Sequence, residues 1–341
     1  MKTVLAPMTT YSSHLDGVIS DDEIPYLRRR AKGGFDVAMT AACCVHPSGW
    51  AFHGQWQCSD DRFLPSLRRV ADAIHEGGSQ AVLQIHHGGR QCPPELCGGQ
   101  PVSASAIPSE RPNAAVPRAL ADAEIREIID AFAAAAVRAQ KAGYEGVEIH
   151  GANTYLIQQF VSPHSNRRDD EWADPLAFPL AVTRAVRAAV PNIEVGYRFS
   201  PEEPETPGIR IDLTERLVDA LLEERLDWLH ISLRDYRQGS LHGDFEGPTL
   251  DRLAQRVAGR TRFIGVGGVK SWDDAEAVVK AGATEVAVGH CAISEPEWVD
   301  KAMAGEPIRT TLPREGMGED RTIPKGLVEK ILATPGWFEV E

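Results

Sequence analysis

The sequence contains no uninterrupted apolar run of about 18 residues, so it predicts no transmembrane helix. It also has little positive charge, because 36 Lys and Arg stand against 49 Asp and Glu for a formal net charge of −13. Nucleic acids and anionic membrane surfaces call for basic patches, so neither is expected as a partner. The first residues, MKTVLAPMTT, show no charged region followed by a long apolar stretch. We therefore expect a cytoplasmic location without a secretory signal.

Patterns that bind metals are missing as well. None of the six cysteines belongs to a CxxC pair, which leaves zinc knuckles, iron–sulfur sites and redox dithiols without support. Cys92 and Cys97 are candidates for a disulfide, but free thiols are expected in a reducing compartment. No HExxH motif indicates catalytic zinc. Few carboxylates follow the predicted strands, which disfavours magnesium sites and the paired acids of glycosidases. We predict no metal.

What the sequence does contain is a repeated alternation of short apolar runs and amphipathic stretches. The apolar runs are rich in Val and Ile, as in parallel strands that are buried on both faces. The stretches between them, such as 61–78, 121–143 and 271–283, have the periodicity of helices. Eight units predict a single α/β domain over 1–341, a (β/α)₈ TIM barrel; the alternative, a doubly wound open sheet, lacks its Gly-x-Gly-x-x-Gly motif. The predicted strands are 3–8, 36–45, 80–87, 146–150, 193–199, 228–232, 262–267 and 285–289.

Two segments fall outside this alternation. Residues 88–120 are rich in Pro, Gly and Ser and far exceed the about 2–6 residues of an ordinary βα loop. Because they follow the third strand, we expect them to cap the C-terminal mouth of the barrel, with a passive surface excursion as the alternative. Residues 306–341 form a C-terminal tail that carries Trp337 and Phe338. These aromatic residues predict packing against a second subunit, hence a homo-oligomer, or else packing on their own barrel.

In a barrel, the side chains at the C-terminal strand ends converge on one site. Glycines follow the seventh and eighth strands, at GVGG (265–268) and VGH (288–290), where small residues let backbone N–H groups approach a phosphate. Gln84 ends the third strand with an amide that can pair with a ring edge. Arg198 ends the fifth strand with a guanidinium that can stabilise a delocalised anion. Together these features indicate FMN.

The stretch EIHGANTYL (148–156) places His150, Asn153 and Tyr155 at the exit of the fourth strand. Such groups are costly to bury without partners, so either the fold or a ligand satisfies them. His150 and Asn153 are three residues apart, which puts two donors on one side of a turn, where they can stabilise an oxyanion. A tyrosine beside them can act as a general acid.

Seven stretches of the chain resemble the Old Yellow Enzyme family of FMN-dependent ene-reductases. The resemblance implies an NAD(P)H-dependent flavin oxidoreductase that reduces the activated C=C bond of α,β-unsaturated carbonyl compounds. Hydride would come from flavin N5 and the proton from Tyr155. The alternatives are another FMN-barrel oxidoreductase, acting on nitro compounds, other xenobiotics or amines, and a flavin-binding protein with little turnover. The matching stretches, within roughly 3–305, are APMTTYSS (6–13), QIHHGGR (84–90), VPRAL (116–120), GYEGVEIHGANTYLIQQFVSPHSNRRDD (143–170), YRFSPE (197–202), GVGGVKS (265–271) and AVGHCAISEPEWVDKA (287–302).

The resemblance also implies roles for individual residues. His150 and Asn153 would bind the substrate carbonyl, Tyr155 would donate a proton, and Tyr11 would line the substrate cavity. Thr9 would form a hydrogen bond with the O4 region of the flavin. The expected FMN-binding residues are Ala6, Pro7, Met8, Thr9, Ala42, Gln84, Arg198, Gly268, Gly289 and His290.

Two positions depart from the family pattern. His290 stands where many members have an arginine that binds the FMN phosphate, so Lys270 is a further candidate cation. In QIHHGGR (84–90), His87 occupies the position that the family usually fills with histidine. His86 is therefore the unusual residue of the pair.

Overall fold

Eight parallel strands close into a barrel in the structure, a computed structural model that describes residues 1–341. Each strand pairs with the next along the chain, and the last pairs with the first. The predicted (β/α)₈ barrel is confirmed and the open sheet is excluded. Apart from the second, the predicted strands lie within three residues of the observed ends. The strands are β1 (Lys2–Leu5), β2 (Val37–Met39), β3 (Gln80–His86), β4 (Gly146–Gly151), β5 (Glu194–Phe199), β6 (Trp228–Ile231), β7 (Arg262–Val266) and β8 (Glu285–Val288).

Helices follow every strand, and the three predicted helical stretches are confirmed. The stretch at 61–78 begins with a short 3-10 turn before its α-helix. At 271–283, the Ser271 hydroxyl accepts the N–H of Asp274 at 3.2 Å and the Asp274 carboxylate accepts that of Ser271 at 3.1 Å, a capping box. No helix has the length and apolar character needed to cross a membrane. The helices are α1 (Glu23–Lys32), α2 (Leu64–Glu76), α3 (Asp122–Ala142), α4 (Leu156–Val161), α5 (Ala177–Ala189), α6 (Ile211–Leu222), α7 (Thr249–Val257), α8 (Trp272–Lys280), α9 (His290–Ser294), α10 (Trp298–Ala304), α11 (Met317–Arg321) and α12 (Lys325–Leu332).

The second strand differs from the continuous run predicted at 36–45. Strand β2 ends before Thr40, and pairing with β3 resumes only at the short strand Cys43–Cys44. Between the two pieces, the Thr40 hydroxyl accepts the N–H of Gln84 at 3.2 Å. The Thr40 side chain has thus replaced a backbone carbonyl of β2 as the hydrogen-bond acceptor for β3. The interruption leaves Ala42 between the two pieces, at the mouth of the barrel.

The barrel interior changes from apolar to polar toward its C-terminal mouth. Because alternate residues of a strand face the same side, Gln84 and His86 of β3 point inward, as do Glu148 and His150 of β4. His230 of β6 joins them, and all five side chains are buried. The apolar layer of the interior consists of Val4, Ala6, Val37, Met39, Val82, Trp228, Ile264, Val266 and Ala287.

The segment 88–120 lies at the C-terminal mouth, as expected of a cap. It contains two short strands, Val102–Ser103 and Arg118–Ala119, which pair in parallel with each other. The Arg168 guanidinium, which follows β4, donates to two carbonyl oxygens of the segment at 2.9 and 2.8 Å. Two buried cysteines of the segment pack in a small cluster against Tyr155. The cap therefore forms part of the surroundings of a predicted catalytic residue.

The C-terminal tail folds back on its own barrel. Leu312 pairs with Val340 in an isolated parallel bridge. Trp337 and Phe338 contact the ring of His290, with ring centroids 6.0 and 4.8 Å away. Of the two interpretations of these aromatic residues, packing on the same barrel is the one that the structure shows. The homo-oligomer stays a prediction, without the tail as its support.

Candidate active site

A cavity of about 850 Å³ opens where β1, β5, β7 and β8 end. Its volume lies in the usual range of ligand sites, about 300–1,000 Å³. Thr9, Ala42 and Gln84 are outside its lining, with Gln84 buried inside the barrel. The other seven predicted cofactor-binding residues line the cavity: Ala6, Pro7, Met8, Arg198, Gly268, Gly289 and His290.

A buried carboxylate, which the sequence analysis did not single out, occupies the barrel interior. Glu148 accepts hydrogen bonds from Gln84 Nε2 at 2.8 Å, Trp228 Nε1 at 3.1 Å and His230 Nδ1 at 2.8 Å. An acidic residue inside a six-residue buried strand was the available signal. Its partners come from β3 and β6, however, so their convergence is visible only in the folded chain.

The electrostatics of this cluster can be assigned residue by residue. Burial acts to raise the pKa of Glu148, but the hydrogen bond from His230 and the charge of Arg198 outweigh it, so the pKa lies below its usual range. Burial lowers the pKa of His230 even though Glu148 opposes the shift. Glu148 is therefore ionised and His230 is neutral, with its proton on Nδ1. Nε2 of His230 is buried without a partner and carries a lone pair.

Arg198 is the positive charge that balances Glu148. Burial lowers its pKa, an effect that the Glu148 carboxylate opposes, and an arginine in this setting stays protonated. One terminal nitrogen donates to the Ser232 hydroxyl at 3.3 Å, whereas Nε is buried without a partner. Arg198 and His230 thus leave one donor and one acceptor unsatisfied. A planar heterocycle that offers an acceptor and an N–H donor would satisfy both.

The side chains of His150 and Asn153 each accept a hydrogen bond with one polar atom, and the other polar atom of each has no partner. His150 Nδ1 accepts the N–H of Ala152 at 3.2 Å, so the proton of the neutral ring is on Nε2. Burial, with the charge of Arg198 adding to it, lowers the pKa of His150 to about 3. The amide oxygen of Asn153 accepts from the Ser232 hydroxyl at 3.1 Å, which leaves its NH₂ group as a donor. Two N–H donors therefore remain available.

Tyr155 lies against the same histidine. Its ring is edge-to-face with His150, with centroids 5.1 Å apart at 90°. Burial raises the pKa of Tyr155 to about 12, so the hydroxyl stays protonated at neutral pH. Tyr11, whose pKa is also raised by burial, packs on Phe52 with centroids 5.3 Å apart, and Phe52 and Tyr155 contact the same small cluster. Tyr155, His150 and Tyr11 are thus brought together, whereas Asn153 is bonded to Ser232, just after β6.

His86, the unusual histidine, supports the Tyr155 ring. The two rings are edge-to-face, with centroids 4.2 Å apart at 86°. His86 Nδ1 lies 2.9 Å from Gln55 Nε2, while the oxygen of Gln55 accepts the N–H of Ala51 at 2.7 Å. Because this fixes Gln55 as the donor, Nδ1 accepts and the proton of His86 is on Nε2. Burial keeps the pKa of His86 well below its usual value, so the ring is neutral.

The glycines after β7 and β8 form the other end of the cavity. Gly267 and Gly268 have φ values of 118° and 67°, a region that favours glycine. A Cβ on Gly267 would come within 2.8 Å of the Leu233 carbonyl oxygen. Lys270 also lines the cavity and is the only lysine to do so. Small residues with a cation nearby suit a phosphate group.

A model of the NADH:flavin oxidoreductase / NADH oxidase family matches residues 2–308. The probable NADH-dependent flavin oxidoreductase YqiG of Bacillus subtilis is 41% identical over 98% of this chain and 93% of its own length. The NADH:fumarate oxidoreductase of Klebsiella pneumoniae is 40% identical over 89% of this chain, which spans only 34% of that protein. Morphinone reductase shares the fold, with a TM-score of 0.77 and 24% identity over 90% of this chain and 87% of its own.

Proposed function

Since this chain belongs to the NADH:flavin oxidoreductase / NADH oxidase family and is an FMN-dependent enzyme reduced by NADH or NADPH, we propose that it reduces the activated C=C bond of α,β-unsaturated carbonyl compounds. The family resemblance predicted from the motifs is thereby confirmed. The observation that carries the proposal is the free N–H donor of His150 beside the protonated Tyr155, with a second free donor on Asn153.

The residues present fit FMN. The unsatisfied buried groups of Arg198 and His230 suit the pyrimidine edge of a flavin. Gln84 lies deeper in the barrel, level with Glu148 and Gly196. Gly268, Gly289 and the cation of Lys270 suit its phosphate. The chemistry that bound FMN supplies is hydride transfer, first from the reduced nicotinamide and then to the alkene. The side chains of the protein would bind the substrate and supply the proton.

His150 and Asn153 would bind the carbonyl oxygen of the substrate. Hydride addition to the β-carbon of an enone moves negative charge onto this oxygen, and two N–H donors stabilise that charge. Both donors are held before substrate arrives, His150 by the Ala152 N–H and Asn153 by the Ser232 hydroxyl. Ser232 is in turn bonded to Arg198. This chain of bonds couples the site of the developing charge to the flavin-binding arginine.

Tyr155 would protonate the α-carbon. A general acid must be protonated in the resting enzyme, and the pKa of about 12 ensures this at neutral pH. The two edge-to-face contacts with His86 and His150 restrict the orientation of the Tyr155 ring, so its hydroxyl group stays in one position. A Tyr155 hydroxyl in a fixed position would donate its proton to one face of the substrate.

His150→Ala is expected to weaken the binding of a para-substituted phenol about tenfold, because the phenolate oxygen is a stable analogue of the developing oxyanion and loses one of two donors. The dissociation constant is measured from the shift of the flavin absorption band. His75→Ala, on the outer surface beside Glu145, is the matched control and should bind the phenol like the parent. Unchanged affinity in His150→Ala would contradict the position of His150 in the pocket.

The affinity for an uncharged ketone is expected to be flat between about pH 5 and 8, although free histidine titrates near 6.5. The sign follows from the pKa of about 3 for His150, because the neutral ring with its Nε2 proton persists at every pH well above that value. Titrations of the flavin band at several pH values test this. Binding that tightens as the pH falls through 6.5, and does so only when His150 is present, would show that the ring is protonated there.

A substrate panel separates this proposal from its alternatives. Under anaerobic conditions with NADH or NADPH, we expect 2-cyclohexenone to be converted to cyclohexanone faster than a nitroarene is reduced. Gas chromatography identifies the products. Rapid nitroarene reduction without cyclohexanone would favour a xenobiotic reductase instead, and no turnover of either would favour a flavin-binding protein.

A further inference from the structure

The C-terminal tail forms one wall of the cavity assigned to FMN. Residues 336–339 line it together with the glycines that follow β7 and β8. The tail is held in place by backbone bonds, with the Leu312 N–H donating to the Glu339 carbonyl and the Glu341 N–H donating to the Leu312 carbonyl, both at 2.9 Å. Its position is therefore part of the fold.

One side chain of this wall reaches His290. Trp337 Nε1 lies 3.2 Å from His290 Nε2. An indole N–H only donates, so His290 Nε2 must accept and carry a lone pair. Partial burial also lowers the pKa of His290, which favours the neutral ring. The single N–H of that ring is then on Nδ1, which makes no hydrogen bond within the chain.

We propose that Trp337 is a positioning residue for phosphate binding, which holds His290 in the tautomer that presents its Nδ1–H to the FMN phosphate. A neutral imidazole has one donor, and the opposite tautomer would turn a lone pair toward the anion. The tautomer therefore decides whether His290 attracts or repels a phosphate. This inference rests on the proposed FMN site, in which the phosphate lies beside Gly268 and Gly289.

The test compares FMN with riboflavin, which lacks the phosphate. Apoprotein is titrated with each flavin, and the quenching of flavin fluorescence gives the two dissociation constants. Trp337→Phe should weaken FMN binding about threefold to tenfold, the scale of one ordinary hydrogen bond. It should leave riboflavin binding within about twofold of the parent. His290→Leu, which removes the donor and leaves Trp337, should show the same selective loss.

Rescue by arginine tests the tautomer itself. A guanidinium has five N–H donors and no tautomer to choose, so Trp337→Phe should no longer affect FMN affinity once His290→Arg is present. Trp172→Phe is the matched control, because it removes an indole bond to Asp122 at 2.8 Å outside the cavity and should leave both affinities unchanged.

The contrary results are distinct from one another. The inference is overturned if Trp337→Phe and His290→Leu weaken the binding of FMN and riboflavin equally, or weaken neither. Either result leaves the proposed function standing. Failure of the unaltered protein to bind FMN at all would overturn the FMN site, and this inference with it.

Discussion

Replacing Tyr155 with phenylalanine is expected to slow the reduction of 2-cyclohexenone about 10²- to 10⁴-fold, the usual contribution of a general acid. FMN should remain bound, because Tyr155 lies outside the cavity assigned to the cofactor. The ring contacts with His86 and His150 should also survive, since phenylalanine keeps the ring and removes only the hydroxyl. The loss is thus confined to proton donation.

Rapid-mixing experiments separate the two half-reactions. The rate at which NADH bleaches the flavin should match that of the parent, while the rate at which 2-cyclohexenone restores its colour should fall. Tyr144→Phe is the matched control, because its hydroxyl donates to the Leu67 carbonyl at 3.1 Å between α2 and α3. Equal loss of flavin binding and turnover in Tyr155→Phe, or no loss at all, would contradict the role of Tyr155.

Replacing Glu148 with glutamine is expected to lower the free energy of unfolding by about 3–5 kcal/mol, because the buried charge of Arg198 is then left uncompensated. Glutamine has nearly the same shape but no charge to balance Arg198. Its NH₂ group would also face donors, because Gln84, Trp228 and His230 all direct N–H groups at the carboxylate. Urea unfolding of the FMN-saturated protein measures the change.

The loss of stability in Glu148→Gln, relative to the parent, should become smaller as the pH falls. Since the pKa of Glu148 in the folded protein lies below the unfolded value of about 4.3, its stabilisation is fully present above that value and is lost as the pH falls through the folded pKa. Glu171→Gln is the control, because its pairing with Arg126 is exposed and is worth about 1 kcal/mol or less. A Glu148→Gln protein as stable as the parent at neutral pH would contradict the role of Glu148 in balancing the charge of Arg198.

The strands and the helices could be predicted because each carries its own periodicity. The strand ends then implied which residues meet, and the structure does bring His150 and Tyr155 into contact. The interruption of the second strand could not be predicted in this way. It depends on the Thr40 hydroxyl replacing a backbone acceptor for Gln84, which is a contact between strands.

The interior cluster and the tail escaped prediction for the same reason. Glu148 stands out as an acid in a buried strand, but only the closed barrel places Trp228 and His230 against it. Likewise, the aromatic residues of the tail indicate burial without specifying the surface they cover. Their contact with His290 spans 47 residues of sequence, and no local pattern encodes it.

The central claim, that this enzyme passes hydride to an activated alkene, is tested most directly by a single turnover under anaerobic conditions. The FMN-loaded protein is bleached with one equivalent of NADH or NADPH and then mixed with 2-cyclohexenone while the flavin absorption is followed. The site described here predicts that the yellow colour returns rapidly and that one equivalent of cyclohexanone forms. A flavin that is bleached but stays reduced in the presence of the enone would contradict the claim.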